Sequence, residues 1–124
     1  MENLTIDAES NSVKAVFANY IKEEDFKEFA KQILNKVHSS GKRKLLYDTR
    51  ELKVMPQSIQ EWINHTWFPE ANRIGVSHMA FIMPESVFGK VSMEQTNSKD
   101  EKIGNITIEY FSSVQKAKNW LSDN

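Results

Sequence analysis

Cysteine is absent from the 124 residues. That removes thiol catalysis, cysteine metal sites and any disulfide framework, and it fits a reducing compartment. Long apolar runs are missing too. No stretch approaches the roughly 20 residues that a bilayer-spanning helix requires. The first residues, Met1-Glu2-Asn3-Leu4-Thr5, lack the basic segment and apolar run of a secretory signal. These absences lead to the expectation of a cytoplasmic chain without a transmembrane segment. Charge of one sign is lacking as well: 16 basic residues stand against 17 acidic ones, a formal net charge of −1. A general nucleic-acid binder carries a strong basic excess, so no nucleic-acid partner is expected.

The sequence also lacks the motifs that name a reaction. There is no P-loop, no G-x-G-x-x-G and no G-x-S-x-G. Glu61 and His65 are four apart, but the second histidine of an H-E-x-x-H pattern is missing. His38, His65 and His78 fall on different elements without ligand-like spacing, so neither a metal nor a cofactor is expected. Asp48, Glu51 and Glu85 are available carboxylates, yet spacing places no histidine or nucleophile beside them. The expectation is a protein that is not an enzyme.

What is present is enough apolar material, 40% of residues, for one core and one domain over residues 1–124. The organising stretch is Lys44-Leu45-Leu46-Tyr47-Asp48-Thr49-Arg50. A short apolar run bounded by charge reads as a buried strand. Its polar tripeptide leaves at the carboxyl end, where open α/β sheets bind ligands. Before it, Leu4–Asp7 and Val13–Ala18 read as two strands of a hairpin joined by Glu9-Ser10-Asn11-Ser12. Phe26, Phe29, Ala30, Ile33, Leu34 and Val37 mark one face of an amphipathic helix, with Glu23, Glu24 and Asp25 in its first turn and Gly41 as its stop.

After the central strand, Pro56 sits where a helix begins, and Ile59, Trp62 and Ile63 continue at helical spacing. Pro69 predicts a break, followed by a short helical turn ending at Gly75. His78–Met83 reads as a strand and Pro84–Val91 as a helix. Ser92–Gly104 reads as a surface loop and Asn105–Phe111 as the last strand. A final helix is capped by Ser112 or Ser113, with Val114, Ala117, Trp120 and Leu121 inward. The order is β-β-α-β-α-β-α-β-α: an α/β fold with a mostly parallel sheet and an antiparallel N-terminal edge hairpin.

The strand ending Leu-Tyr-Asp, the Trp-bearing helix around Pro69 and Gly75, the Ala80-Phe81-Ile82 strand closed by Pro84 and the Tyr-Phe strand leading into Ala117-Lys118-Asn119-Trp120-Leu121 together resemble the small SpoIIAA-like proteins of the STAS and CRAL-TRIO lipid-carrier grouping. The resemblance implies a regulatory or protein-interaction module that self-associates, as a homodimer. An alternative is a small-molecule or lipid-binding domain holding an anionic head group at the sheet's carboxyl edge. STAS domains carry a phosphorylatable Ser or Thr in an Asp-Ser-Ser-Gly-like turn after a central strand. Asp48-Thr49 matches its start, while the Ser-Gly pair is absent.

The candidate ligand-binding residues are Asp48, Thr49, Arg50, Glu85, Ser86, Ser112 and Ser113, with Arg50 as a bidentate anion clamp beside helix N-termini. The blander reading makes Asp48 and the serines backbone caps and Arg50 half of an ion pair. Thr49 and Ser58 are the candidate phosphoacceptors; the alternative is plain surface hydroxyls. Trp62, Trp67, Phe68 and Phe88 are read as an interface or an apolar pocket, against simple core packing.

Overall fold

The computed structural model describes residues 3–17, 22–51, 57–84 and 101–124. Two strands open the chain, β1 (Asn3–Asp7) and β2 (Ser12–Val16), followed by α1 (Glu23–Ser40) and β3 (Lys44–Asp48). A long helical passage comes next: α2 (Gln57–Trp62), a π-helical turn (Ile63–Trp67) and α3 (Phe68–Ile74). Then come β4 (His78–Ile82), β5 (Glu101–Ile103), β6 (Ile106–Phe111) and α4 (Val114–Ser122). The strands form one sheet in the order β1-β2-β3-β4-β6-β5. Pairs β2–β3, β3–β4 and β4–β6 are parallel, whereas β1–β2 and β5–β6 are antiparallel. The fold class is the expected one.

Strand alternation divides the core into two layers. Val13, Ala15, Leu45, Tyr47, Met79, Ile106 and Ile108 face α1 and the α2–α3 passage. Leu46, Ala80 and Ile82 point the other way, against Ala117 and Leu121 of α4. All six residues of the predicted α1 stripe are buried. Each fully buried aliphatic or Phe side chain contributes about 1.5–3 kcal/mol of transfer free energy. The stripe therefore fixes α1 to the sheet more firmly than helix propensity does. Gly41 closes α1 with a positive φ of 74°, and its N–H donates to the Val37 carbonyl.

Two expectations need correction. Pro69 does not break the helix; the backbone is helical from Gln57 to Ile74. The Phe68 N–H donates to the Ile63 carbonyl, five residues back. In an α-helix the proline ring would collide with the carbonyl four residues earlier, that of His65. The wider π turn immediately before Pro69 relieves that crowding, and the α register resumes at Phe68. Nor is Ser92–Gly104 all loop, because Glu101–Ile103 form the edge strand β5. The sheet consequently has an antiparallel hairpin at both edges. The predicted helix over Pro84–Val91 lies, beyond Pro84, outside the described residues, as does Pro56.

The β1–β2 turn is tied to α4 by a polar cluster that is buried at Ser10 and Ser12 and reaches α4 at the surface. Ser10 is fully buried and donates to Asp7 Oδ2 from both its backbone N–H and its hydroxyl, and Ser12 Oγ lies 2.6 Å from Ser10 Oγ. Lys118 Nζ sits 3.1 Å from Asp7 Oδ1. Gln115 donates to Glu9 Oε2 at 2.7 Å, and Ser122 Oγ to the Glu9 carbonyl at 3.1 Å. A turn that looked merely polar in sequence is an anchor.

Candidate functional site

The carboxyl ends of β2, β3 and β4 meet at one edge, and alternation sends successive residues of the organising stretch to opposite faces. Tyr47 points toward α1, Asp48 toward the α4 side, and Thr49 back toward α1. Asp48 is 4% exposed. Its Oδ1 accepts from Arg50 Nε at 2.9 Å and from the Arg50 backbone N–H at 3.2 Å, and its Oδ2 accepts from Arg50 Nη2 at 2.7 Å. Burial pushes the Asp48 carboxyl up, but hydrogen bonds from Arg50 and the charges of Arg50 and Lys14 outweigh it, so the carboxyl is held below its ordinary range. The same pairing raises Arg50 above its usual value.

Thr49 is tied into the sheet. Its backbone N–H and its hydroxyl both donate to the Ile82 carbonyl, at 2.8 and 2.9 Å. Ser113 is the N-cap of α4, its Oγ accepting from the Lys116 N–H at 3.4 Å, and Ser112 is half-buried beside it. Ser58 Oγ lies elsewhere, on α2, where it donates to Glu23 Oε1 at 2.7 Å. A phosphate at Ser58 would face that carboxylate, an unfavourable like-charge contact. Glu85, Ser86 and Phe88 lie outside the described residues.

Thr49 also borders an apolar cavity of about 110 Å³ on the α1 face. Phe17, Ala30, Tyr47, Ile63, Trp67 and Phe81 are among its walls, and Phe68 contributes as well. Tyr47 is the hub: its ring centroid lies 5.2 Å from Phe17, 5.2 Å from Phe81 and 5.9 Å from Trp67. Trp67 is 3% exposed, and its indole N–H donates to the Ala30 carbonyl at 2.9 Å. Burial raises the Tyr47 phenol far above its ordinary value, so it stays neutral. Trp62, by contrast, is half-buried on the helical surface, with Lys27 Nζ 5.7 Å from its ring centre.

The structure thus brings Asp48, Thr49 and Arg50 together at the strand end, with Thr49 facing the cavity that Trp67 and Phe68 help to wall and Asp48 on the opposite face of the sheet. Ser58 stands apart from both groups, and Trp62 packs, partly buried, against the core cluster that holds Trp67 and Phe68. Sequence reasoning missed Phe17, Tyr47 and Phe81 as cavity walls. Their strand-end positions at one edge were the available signal. No group of three or more His, Cys, Asp or Glu side chains suited to a metal ion occurs among the described residues. His38 and His65 are exposed, and His78 packs 5.5 Å from the Trp120 ring. No helix among the described residues is long and apolar enough to cross a membrane.

A sheet with a parallel centre and antiparallel edges, one face under α1 and α3 and the other under α4, with its polar turn after the central strand, is the arrangement of a STAS-like domain. A family model described as SpoIIAA-like matches residues 13–122, nearly the whole chain, and the chain belongs to that family. No curated protein and no solved structure matches it.

Proposed function

We propose that the chain is a non-enzymatic regulatory or protein-interaction module of the STAS type that works by self-association. The observation that carries this reading is the mutual satisfaction of the polar edge. Asp48 and Arg50 are bound to each other and Thr49 to the Ile82 carbonyl. Tied to one another and to the sheet, these three present a rigid, shaped surface on which Arg50 keeps one exposed edge of its guanidinium. Family membership over residues 13–122 points the same way.

The cavity beside Tyr47 favours a second reading, a small-molecule binding domain. Its volume of about 110 Å³ is below the roughly 300 Å³ at which pockets for drug-sized ligands begin. It is closer to the engineered apolar cavity of about 150 Å³ that binds benzene. An anionic head group would have to share the Arg50 guanidinium with Asp48, and Thr49 links that edge to the cavity.

Native mass spectrometry of protein purified from its own host separates the readings. An empty dimer is the expected result. A small mass that is retained natively and released on unfolding would select the second reading. An adduct of about 80 Da that survives denaturation would restore a phosphoacceptor. An empty, unmodified monomer would overturn both readings.

A further inference from the structure

Resting on the self-association reading, we infer that two copies of this chain join edge to edge through β1, paired antiparallel about a two-fold axis at Thr5, to make one continuous sheet. Among the described residues strand β1 is an edge of the sheet, paired on one side only, with β2. Natural edges of this kind are commonly guarded by lysine, proline, a bulge or a covering element. The sequence Asn3-Leu4-Thr5-Ile6-Asp7 has neither lysine nor proline, and its register with β2 runs without interruption from Asn3↔Val16 to Asp7↔Ser12. Ile6, 40% exposed, is the one exposed large apolar side chain among the described residues.

The strand is complementary to itself. Opposed residues of an antiparallel pair project to the same face. Centred on Thr5, the pairing sets Leu4 against Ile6 of the second copy, and Ile6 against its Leu4. Leu4 and Ile6 are register partners of Ala15 and Val13, so both project to the α1 face. Each chain's exposed isoleucine thereby meets the half-buried leucine of the other. On the opposite face Thr5 meets Thr5, a favourable cross-strand pair, and Asn3 meets Asp7. The Asp7 carboxylate is already neutralised by Lys118, so no like charges face each other directly within the strand pair. An isologous contact must pair residue i with j and j with i, and this register does so throughout.

The test is sedimentation equilibrium over a concentration series, with far-UV circular dichroism as the check on folding. Ile6→Lys places a charge on each copy of the Leu4–Ile6 pair and should raise the dimer Kd by about tenfold or more. Thr5→Lys and Thr5→Glu set like charges against each other at the axis, so each alone should be monomeric. Mixed, they should form a heterodimer. If the wild type dimerises but these variants dimerise equally well, the β1 edge is overturned while self-association stands. If the wild type is monomeric throughout, both fall. Weakening by Thr5→Lys and Thr5→Glu without heterodimer formation on mixing overturns the register centred on Thr5.

Discussion

Asp48 and Arg50 hold each other in a fork across a single intervening residue, Nε to Oδ1 at 2.9 Å and Nη2 to Oδ2 at 2.7 Å. The carboxylate is buried and the guanidinium exposed, so the two partners are not equally dispensable. Removing Arg50 leaves a buried anion short of its main donors. Arg50→Ala should destabilise the fold by about 1–3 kcal/mol at neutral pH. Because the Asp48 carboxyl is depressed in the fold, the pair's contribution is present above the unfolded carboxylate range and is lost as pH falls through the folded value. The gap between wild type and variant should therefore narrow below about pH 4. Urea unfolding at pH 7 and at pH 3 measures it; an unchanged gap would assign the loss to packing.

Thr49 tests the phosphoacceptor idea directly. Thr49→Val removes the hydroxyl that donates to Ile82 at 2.9 Å but leaves the backbone N–H on the same carbonyl. The expected cost is about 0.5–1.5 kcal/mol. Thr49→Glu should cost more, because it introduces a charge at the wall of an apolar cavity and beside the Asp48 carboxylate. Thermal melts of the two variants give the order. A Thr49→Glu protein as stable as wild type would mean that the edge accepts a charge, as a phospho-switch requires.

Much of this architecture was legible where the periodic signal was unbroken. The α1 stripe from Phe26 to Val37 and the strand Lys44–Asp48 could be read directly, since each buries a face of fixed period. Pro69 misled because the expected clash presumes an α register, and the π turn over Ile63–Trp67 removes that premise. Strand β5 was invisible because three residues hold too little alternation to count. At the edge, the position of Asp48-Thr49-Arg50 was readable from the strand's end. The capture of Thr49 by Ile82, 33 residues away, and the hub position of Tyr47 depend on tertiary pairing that no local pattern encodes.

The β5–β6 turn makes a sharp steric prediction. Gly104 has a φ of +63°, and a Cβ there would lie 2.5 Å from Asn72 Nδ2 and 2.7 Å from its Oδ1. That Oδ1 accepts the Asn105 N–H at 2.8 Å, so the Asn72 side chain cannot move away without losing the bond. Gly104→Ala should cost about 1–3 kcal/mol through backbone strain alone, with the contact adding to it. In an Asn72→Ala background the contact is gone and only the strain persists. A double-mutant cycle by urea denaturation should return a coupling of about 0.5 kcal/mol or more. Additive losses would show that the Asn72 side chain gives way freely.

Trp67 separates folding from association. Its indole N–H donates to the Ala30 carbonyl and its ring packs 5.1 Å from Phe68, all within the core. Trp67→Ala should cost about 3–5 kcal/mol, which brings a domain at the low end of ordinary stability, about 5 kcal/mol, to the edge of unfolding. Any loss of dimer in that variant would report unfolding. Trp67→Phe keeps the aromatic contact and forfeits the hydrogen bond, worth about 1 kcal/mol, so it should stay folded. At 3% exposure Trp67 offers a second molecule almost no surface. Sedimentation of Trp67→Phe should thus match wild type, whereas Ile6→Lys should not. A folded Trp67→Phe protein with weakened association would instead place the contact surface over the Trp67–Phe68 side of the domain.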